Sequence, residues 1–483
     1  MKILLATSEL YPYSKTGGLA DMVAALGKTL AKQGHQVGVV TPLYAGIREK
    51  CPGLEKMDWK LRIPLDWMTI EGGVCQLKTE DGCTIYFIEQ EQFFNRDGLY
   101  QSKGTDFADN AERYTFFSKA AVNLAQYLPW QPELVHVHDW QTSLVPLLLK
   151  HLRSTGELKR KIASCLTIHN LAYQGLFDKQ VFAMADVPWG YFNSTGAEYY
   201  GKFNFLKTGI VFADTLTTVS PHYAEEIQGV EYGVGLNGIL NQRKNDLTGI
   251  LNGADYDVWN TEINPALPFH YSAKSMAGKN RCKTALQRRM GLPEDPKIPL
   301  FANIGRMAEQ KGVDILIQAM EDMLVGNIQF VCLGGGAAHY EQGIRNLHQL
   351  FPQKTNCFIG YDPQLAHLIT AGADFFLMPS QYEPCGLNQM YSLRYGTLPI
   401  VRDTGGLTDS VIDPGQSPEK ADGFKFSRYS STDLGRAIIR ALSIYYSPAL
   451  FKAMRRNAMA ADFSWDQTAK SYVQVYQKAI EKN

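Results

Sequence analysis

Residues 1–44 read MKILLATSELYPYSKTGGLADMVAALGKTLAKQGHQVGVVTPLY, and the order of the apolar runs within them indicates the fold class. The short run ILLA is followed by a polar loop, and a second run, QVGVVTPLY, ends the stretch. Between the two runs, apolar residues recur at helical spacing up to Gly34. They are Leu19, Met22, Val23, Leu26 and Leu30. A strand, a loop, a helix and a strand in this order predict the opening of a doubly wound parallel sheet.

Further apolar runs extend this pattern and then repeat it. The runs of the first half predict strands at residues 84–89, 134–139, 163–169 and 215–220. The pattern restarts with a strand at 297–306 and a helix at 313–324, and the runs IQFVCLGGG, NCFIG, DFFLMPS and LPIVRDTGG follow. Two α/β sheets in series are therefore predicted. Residues 253–278, rich in Pro, Asn and Ala, are the predicted crossover between them.

The composition limits the class of protein. A chain of 483 residues exceeds the size at which one hydrophobic core stops growing, so two or three domains are expected. Lys plus Arg number 48, as do Asp plus Glu, and this balance argues against bulk binding to nucleic acid or to an anionic membrane. Apolar runs stay well below the ~18 residues of a membrane span, and the first is too short for a signal sequence. A cytoplasmic protein without nucleic-acid or membrane partners is expected.

The eight cysteines occur without a C-x-x-C pair, and several lie in apolar runs, as Cys165 and Cys332 do. This pattern predicts buried free thiols in a reducing compartment rather than a disulfide framework.

A weak internal repeat marks two loops that suit anions. KTGGLAD (15–21) follows the first strand, and DTGGLTD (403–409) follows a strand of the second half. In both, two glycines lie between a strand and a helix start, where backbone N–H groups and the helix dipole favour an anion. A tight turn would explain a single copy, but two matching copies favour phosphate binding.

Polar residues at the ends of predicted strands are the candidates for chemistry, because ligands of such folds bind at the carboxyl ends of the strands. The candidates are Lys15, Asp21, Asp139, His169 and Asn170 in the first half, and Arg306, Lys311, Glu383 and Thr404 in the second. Arg306 and Lys311 suit a leaving diphosphate. Glu383 suits sugar hydroxyls, because a carboxylate accepts two hydrogen bonds in a fixed geometry.

Three patterns leave a second interpretation open. His136 and His138 lie on one face of a strand, where a metal site and a structural role are both consistent with the spacing. Asp255 and Asp257 form a D-x-D pair that could hold a metal–diphosphate, but the pair lies in the crossover, away from a strand end. LGGGAA (333–338) lacks the full G-x-G-x-x-G spacing of a dinucleotide site. We expect no metal and no cofactor.

Seven motifs occur in order from residue 1 to about residue 480: KTGGLAD, HVHDW, TIHNLAYQG, LTGILNGAD, GRMAEQKG, PSQYEPCGLNQMYSLRYGTLPIVRDTGGL and DFSWDQTAKSY. Together they resemble the bacterial and plant glycogen and starch synthases. The resemblance implies the GT-B architecture, in which two Rossmann-like, doubly wound α/β domains face a deep cleft. It implies an acceptor-side domain at 1–252 and a nucleotide-sugar-binding domain at 253–463. The last helix, at about 464–483, would return to the first domain, although a helix that only caps the second domain is the alternative.

The resemblance also implies an activity. It is the retaining transfer of glucose from ADP-glucose to the non-reducing end of glycogen or another α-1,4-glucan, without a metal or cofactor. The residues alone do not decide whether the donor nucleotide is ADP or UDP. They also do not decide whether the reaction passes through a covalent carboxylate intermediate or whether the acceptor attacks from the face that the diphosphate leaves. The alternatives are an inactive glucan-binding protein and other nucleotide-sugar enzymes or a phosphorylase on the same fold. A nicotinamide oxidoreductase is disfavoured, because the acidic residue for the ribose is missing.

Residue roles carried over by motif fall into three groups. The catalytic residues would be Glu383, His169, Asp139, Arg306 and Lys311. The donor phosphates would be bound by Lys15, Gly17 and Gly18 and by Thr404, Gly405 and Gly406. Sugar or base would be positioned by Asp21, Asn170, Asn252, Tyr361, Cys385 and Gly386. In this scheme His169 lies beside the anomeric carbon and Tyr361 stacks on the adenine.

Overall fold

The chain divides into two compact units in a computed structural model that describes residues 1–102 and 104–483. Unit 1 comprises residues 1–253 and 465–483, and unit 2 comprises residues 254–464. Each unit is built around a mostly parallel sheet, so the predicted pair of α/β sheets is confirmed.

Unit 1 contains most of the strands. They are β1 (Lys2–Ala6), β2 (Gln36–Pro42), β3 (Glu55–Leu65), β4 (Met68–Lys78), β5 (Thr84–Glu89), β6 (Gln101–Ser102), β7 (Thr105–Asp106), β8 (Leu134–His138), β9 (Ala163–Ile168), β10 (Leu176–Asp178), β11 (Glu198–Tyr199), β12 (Lys202–Asn204), β13 (Thr215–Thr218) and β14 (Leu247–Gly249). Its helices up to residue 253 are α1 (Gly18–Lys32), α2 (Ile47–Lys50), α3 (Glu91–Phe94), α4 (Asn110–Tyr127), α5 (Asp139–Thr142), α6 (Val145–Thr155), α7 (Phe205–Phe212), α8 (Pro221–Glu226) and α9 (Asn237–Gln242), with 3₁₀ turns at Lys179–Ala185 and Trp189–Tyr191.

The main sheet of unit 1 has nine strands in the order β14-β13-β9-β8-β1-β2-β5-β4-β3. The strands from β14 to β5 are parallel, whereas β3 and β4 form an antiparallel hairpin at one edge. The direction of chain progression reverses between β1 and β8. Such a reversal opens a crevice beyond the carboxyl ends of the strands, where ligands of this fold class bind.

The first strand and helix form as their apolar pattern predicts. Residues 3–6 of β1 are fully buried, and the apolar stripe of α1 from Leu19 to Leu30 packs into the core. The four other strands predicted in this half correspond to β5, β8, β9 and β13.

Unit 2 has one six-stranded parallel sheet. Its strands are β15 (Leu300–Ile304), β16 (Gln329–Gly334), β17 (Thr355–Ile359), β18 (Phe375–Met378), β19 (Leu398–Arg402) and β20 (Phe424–Phe426). Its helices are α10 (Ala277–Arg289), α11 (Val313–Met323), α12 (Ala338–Leu350), α13 (Pro363–Gly372), α14 (Asn388–Arg394), α15 (Gly405–Ser410), α16 (Ser431–Tyr445) and α17 (Pro448–Ala460), with a 3₁₀ turn at Glu309–Lys311. The order β17-β16-β15-β18-β19-β20 is that of a Rossmann sheet, with its reversal between β15 and β18.

The last helix, α18 (Trp465–Lys482), belongs to unit 1. One face of it is buried there, and the face includes Tyr472, Val475, Tyr476 and Ala479. Tyr476 lies within hydrogen-bond distance of the β8 side chain His136, at 2.8 Å between OH and Nδ1. The C-terminal helix therefore completes the core beneath the central strands of unit 1.

The cysteines are buried or half-buried and lie outside any disulfide bond within the described chain, as their apolar surroundings predict. Among residues 1–102 and 104–483, no helix is long and apolar enough to cross a membrane.

Candidate functional site

The first glycine-rich loop is organised by Glu9, which follows β1. Its buried carboxylate accepts hydrogen bonds from the Thr16 backbone N–H at 2.6 Å and from the Gly17 N–H at 3.1 Å. The hydroxyls of Thr16, at 2.6 Å, and Tyr100, at 2.8 Å, donate to the same carboxylate. The Gly17 amide therefore has an acceptor within the chain, and its proposed place beside a phosphate stays a prediction.

Lys15 and Asp21 form an exposed ion pair beside this loop, with Nζ 2.7 Å from a carboxylate oxygen. Gly18 begins α1, and Lys15 also lies over the ring of Tyr11. The loop therefore presents a lysine and the start of a fifteen-residue helix at the carboxyl end of β1.

Asp139 follows β8 directly and has a φ of +54°, a conformation that is strained for a residue with a side chain. Its carboxylate accepts hydrogen bonds from the backbone N–H groups of His169, at 2.8 Å, and Asn170. Burial raises the pKa of Asp139 to about 7, although these two N–H groups act in the opposite direction. Asp139 thus ties the end of β8 to the turn that follows β9.

His169 and Asn170 form that turn, and the side chain of each makes a hydrogen bond in addition to the backbone bond to Asp139. His169 Nε2 lies 3.1 Å from Nδ1 of the buried His138, and Asn170 Oδ1 accepts from the Ala172 N–H at 3.1 Å. Burial lowers the pKa of His169 to about 3. The imidazole is therefore neutral at physiological pH, so His169 acts through a hydrogen bond and not through a positive charge.

Asn252 lies three residues after β14 and is only 6% exposed. Within the described residues its Oδ1 is buried without a hydrogen-bond partner. An unpaired buried carbonyl oxygen costs free energy, so Asn252 is a side chain that a ligand would stabilise.

In unit 2, Lys311 and Glu383 meet although 72 residues separate them in the sequence. Lys311 Nζ donates to Glu383 Oε2 at 2.6 Å, and the Ser380 hydroxyl donates to the same oxygen at 3.0 Å. Glu383 is only 6% exposed, whereas Arg306, at the end of β15, is exposed. The structure therefore pairs two residues for which the sequence predicted different ligand groups, the diphosphate for Lys311 and the sugar for Glu383.

The second glycine-rich loop is tied to the Glu383 segment through its backbone. The Gly406 N–H donates to the carbonyls of Glu383, at 3.0 Å, and Pro384, at 3.2 Å, and the Thr404 N–H donates to Arg402. A Cβ on Gly406 would lie 2.2 Å from the Cys385 carbonyl oxygen, so only glycine allows this approach. Both amides thus have acceptors within the chain, and their expected phosphate contacts stay a prediction. Gly405 lies between them at the start of the six-residue helix α15.

Cys385 and Gly386 continue the segment after Glu383. Cys385 is buried, and its carbonyl accepts from the Gln389 side-chain amide at 3.0 Å. Gly386 has a φ of +72°, in the left-handed region that glycine adopts at little cost, and the segment then enters α14.

Tyr361 and the LGGGAA segment follow neighbouring strands of unit 2. Tyr361 comes shortly after β17 and is 86% exposed, so both faces of its ring are accessible for stacking. The glycines of LGGGAA instead allow close packing. A Cβ on Gly334 would lie 1.9 Å from the Gly305 carbonyl oxygen, and a Cβ on Gly336 would lie 2.3 Å from that of Met307.

The candidate metal ligands make hydrogen bonds within the chain. Asp255 Oδ1 accepts from the Asp257 N–H at 2.9 Å, which forms a local turn. His136 is fully buried between Tyr476 and Thr167, whose hydroxyl lies 2.6 Å from its Nε2. In the part of the chain that the structure describes, no three His, Cys, Asp or Glu side chains are grouped so that they could hold a metal ion.

Sequence patterns missed Glu9, Tyr100 and Ser380, and considered His138 only as a metal ligand or a structural residue. Glu9 follows a strand by three residues, and that position could have identified it as a strand-end carboxylate. Tyr100 and Ser380 are found only through their partners in space. Their hydrogen bonds to Glu9 and Glu383 join segments whose contacts a local pattern does not specify.

Each unit by itself presents polar groups that suit a charged or hydroxylated ligand. At strand ends, unit 1 presents Lys15, the neutral His169 and the unpaired oxygen of Asn252. Unit 2 presents Arg306, Lys311 and a buried carboxylate, Glu383. Cations suit phosphate groups, and paired carboxylate oxygens suit sugar hydroxyls.

Comparison with known families gives matches in both halves of the chain. The family described as starch synthase catalytic domain matches residues 2–242, and the family described as glycosyl transferases group 1 matches residues 284–459. A glycogen synthase of Anaeromyxobacter sp. (strain Fw109-5) is 45% identical over 99% of both chains. A glycogen synthase of Thermosipho melanesiensis is 42% identical over 100% of both chains.

Solved structures resemble the chain over its whole length. The catalytic domain of starch synthase IV from Arabidopsis thaliana, bound to ADP and acarbose, superposes with a TM-score of 0.88 at 31% identity and 99% coverage of each chain. A sucrose-phosphate synthase from Thermosynechococcus elongatus gives a TM-score of 0.60 at 18% identity and 100% coverage, which is a likeness of fold alone.

Proposed function

Because this chain belongs to the family of glycogen and starch synthases, we propose that it transfers glucose from ADP-glucose to the non-reducing end of an α-1,4-glucan, releasing ADP. Glucosyl transfer and the GT-B fold follow from the family, as do a nucleotide-sugar donor and a glucan acceptor. The ADP moiety and the roles of individual residues are the new elements. An inactive glucan-binding protein is not favoured, because every residue assigned to the reaction is present.

The pair of Lys311 and Glu383 is the observation that carries this proposal. Cleavage of the bond between glucose and a diphosphate develops negative charge on the leaving oxygen, which nearby donors stabilise. The Lys311 ammonium has three N–H groups, and one of them donates to Glu383. The ammonium can therefore keep Glu383 in place while it donates to a phosphate oxygen. Arg306 adds a planar guanidinium that matches phosphate geometry.

Glu383 is assigned to the sugar. Both of its donors, Lys311 and Ser380, bind Oε2, so Oε1 is the oxygen that would accept a bond from a glucose hydroxyl. Cys385 and Gly386 follow directly and would line the same sugar. The bond between the Gly406 N–H and the Glu383 carbonyl couples this segment to the TGG loop, which would lie next to the phosphates.

Unit 1 supplies the groups proposed for the anomeric carbon and the acceptor. His169 would donate or accept one hydrogen bond beside the anomeric carbon, and Asp139 would hold the turn that carries it. The Asp139 carboxylate is engaged by two backbone N–H groups. This engagement favours attack from the face that the diphosphate leaves over a covalent intermediate on Asp139. Asn252, with its unpaired Oδ1, is proposed to contact the sugar or the acceptor.

The nucleotide is proposed to be ADP. The starch synthase IV structure that resembles this chain at 31% identity is bound to ADP. The ring of Tyr361 is exposed at the carboxyl end of β17, where it could stack on an adenine.

The test replaces the charged pair conservatively. Glu383→Gln and Lys311→Met keep the side-chain size, and each is expected to lower kcat for ADP release in the presence of glucan roughly 10²–10³-fold. Lys274→Met, at an exposed lysine of the same unit, is the matched control and should retain wild-type kcat. A Glu383→Gln variant with native melting temperature and full kcat would contradict the assigned role. A wild-type chain that adsorbs to glycogen but releases no ADP would support a binding protein instead.

A further inference from the structure

Two consecutive residues hold His169 from different sides. Asp139 accepts the His169 backbone N–H at 2.8 Å, and His138 Nδ1 lies 3.1 Å from the ring nitrogen Nε2. Consecutive side chains of a regular strand point to opposite faces. The left-handed φ of Asp139, +54°, lets both side chains reach the end of β9. The backbone and the ring of His169 are therefore both fixed by the end of β8.

His138 lies in a fully buried layer beneath His169. Its ring centroid is 4.1 Å from that of His136 and 5.3 Å from that of His169. The side chain of His136 is in turn bonded to the Tyr476 hydroxyl at 2.8 Å. Burial lowers the pKa of all three imidazoles, so each is neutral at physiological pH and carries one ring proton.

The surroundings of His138 decide where these protons lie. Its Nε2 is buried and has no hydrogen-bond partner in the described chain. A proton on this nitrogen would be a buried N–H without an acceptor, which is rarer in proteins than an acceptor without a donor. The proton of His138 is thus placed on Nδ1, from which it is donated to His169 Nε2. Because His169 is neutral and accepts at Nε2, its own proton lies on Nδ1.

We propose that His138 is a positioning residue for glucosyl transfer, which holds His169 as the Nδ1–H tautomer and so makes it a hydrogen-bond donor toward the transferred sugar. This inference rests on the proposed place of His169 beside the anomeric carbon. A donor at that place bonds to a hydroxyl or ring oxygen of the sugar. The other tautomer would present a bare nitrogen, which can only accept. His138 would act through His169 without contact with the substrate.

An isosteric pair of variants tests the proposal. Asn and Leu have the same number of side-chain heavy atoms branched at Cγ, and the Asn amide nitrogen can take the place of His138 Nδ1 and donate to His169. His138→Leu removes the donor and is expected to lower kcat roughly ten- to a hundredfold, with a smaller change in KM for the donor. His138→Asn is expected to restore most of that loss. Asn is smaller and more polar than Leu, so apolar packing alone would favour Leu, and a difference in favour of Asn reports the restored hydrogen bond.

The tautomer itself is measured independently of activity. Nitrogen-15 spectra of histidine-labelled protein separate protonated from bare ring nitrogens, and the His169 signals are assigned by their loss in His169→Gln. The wild type is expected to show protonated Nδ1 and bare Nε2 at His169. In His138→Leu the two tautomers of His169 should mix, and in His138→Asn the wild-type tautomer should return.

Three results would overturn the inference. They are a wild-type His169 protonated at Nε2, a His138→Leu variant with unchanged tautomer and kcat, and a His138→Asn variant as slow as His138→Leu. A failure of the proposed role of His169 in glucose transfer is detected by a different measurement from a failure of the proposed role of His138. If His169→Gln transfers glucose at the wild-type rate, the role of His169 is lost, whereas the nitrogen spectra still decide what His138 does.

Discussion

Single side chains at strand ends govern the loops around them through the hydrogen bonds that they accept. Glu9 is the clearest case, because its buried carboxylate binds two backbone N–H groups and two hydroxyls. Lys15 lies next to Thr16 in the same loop. Glu9 therefore sets the position of Lys15 without pairing with it.

We expect Glu9→Ala to raise the KM for the nucleotide-sugar at least about fivefold, because two loop N–H groups lose their acceptor and the loop loosens. Glu9→Gln retains one carbonyl oxygen for these N–H groups, and its amide can donate to the hydroxyls, so a smaller effect is expected. Steady-state kinetics with varied donor measure both variants. Equal KM values for wild type and Glu9→Ala would show that the loop does not depend on this carboxylate.

The buried histidines make stability depend on pH. Burial lowers the pKa of His136 to about 3, whereas an unfolded histidine titrates near 6.5. Below about pH 6.5 the unfolded chain therefore binds a proton that the folded chain excludes, and stability is lost as the pH falls toward 3.

His136→Gln should remove one such contribution. The pH dependence of the free energy of unfolding between pH 6 and 4 should become shallower by about 1.4 kcal/mol per pH unit. The variant is less stable at pH 8, because it loses native hydrogen bonds, and the difference from wild type narrows as the pH falls. Urea unfolding at several pH values measures this difference. Parallel curves for the two proteins would contradict a neutral buried His136.

At the scale of elements, the packing of the helix α18 bears most directly on the position of His169. It reaches unit 1 from the far end of the chain, and Tyr476 bonds to His136 beneath β8. His136 packs on His138, which contacts His169. The helix thus supports the layer on which the proposed sugar-binding imidazole rests.

We expect Tyr476→Phe to lower the free energy of unfolding by about 1–3 kcal/mol, because it removes the hydroxyl bonded to the fully buried His136 and leaves Nδ1 unpaired. Lys470→Ala, at an exposed position of the same helix, is the matched control and should change stability little. Thermal and urea unfolding measure both variants. A Tyr476→Phe variant as stable as the control would rule out this bond as a support of the helix.

The elements that the sequence predicts are those whose apolar residues are buried in a regular pattern. The helix α1 and the central strands are such elements, since their periodicity reflects the core directly. The hairpin of β3 and β4 went unpredicted. Much of the hairpin is exposed at the sheet edge, and its apolar residues alternate with charged residues such as Lys60 and Arg62.

The sequence proposes residues for the site but not their bonding within the chain. Strand-end position is enough to select Glu383, His169 and Arg306. The sequence assigns Gly17 and Gly406 to phosphates but does not show that their amides donate to Glu9 and to the backbone of the Glu383 segment. Such partners come from segments distant in sequence, and a local motif contains no information about them.

At the scale of the whole molecule, both units repeat one strand order, and both place their polar residues at the carboxyl ends of the strands. At these ends unit 1 has Lys15 and the neutral His169, and unit 2 has Arg306, Lys311 and the buried Glu383. The family requires a nucleotide-sugar and a glucan, and these two sets of groups suit a sugar and a diphosphate. The nucleotide is identified by comparing the use of ADP-glucose and UDP-glucose as donors.

The measurement is the transfer of labelled glucose from ADP-glucose into glycogen, with UDP-glucose at the same concentration in parallel. We predict incorporation into alcohol-insoluble glucan from ADP-glucose at least about tenfold faster than from UDP-glucose. The label should be released by an enzyme that cleaves α-1,4 links. Equal or faster incorporation from UDP-glucose, or none from either donor, would contradict the proposed activity.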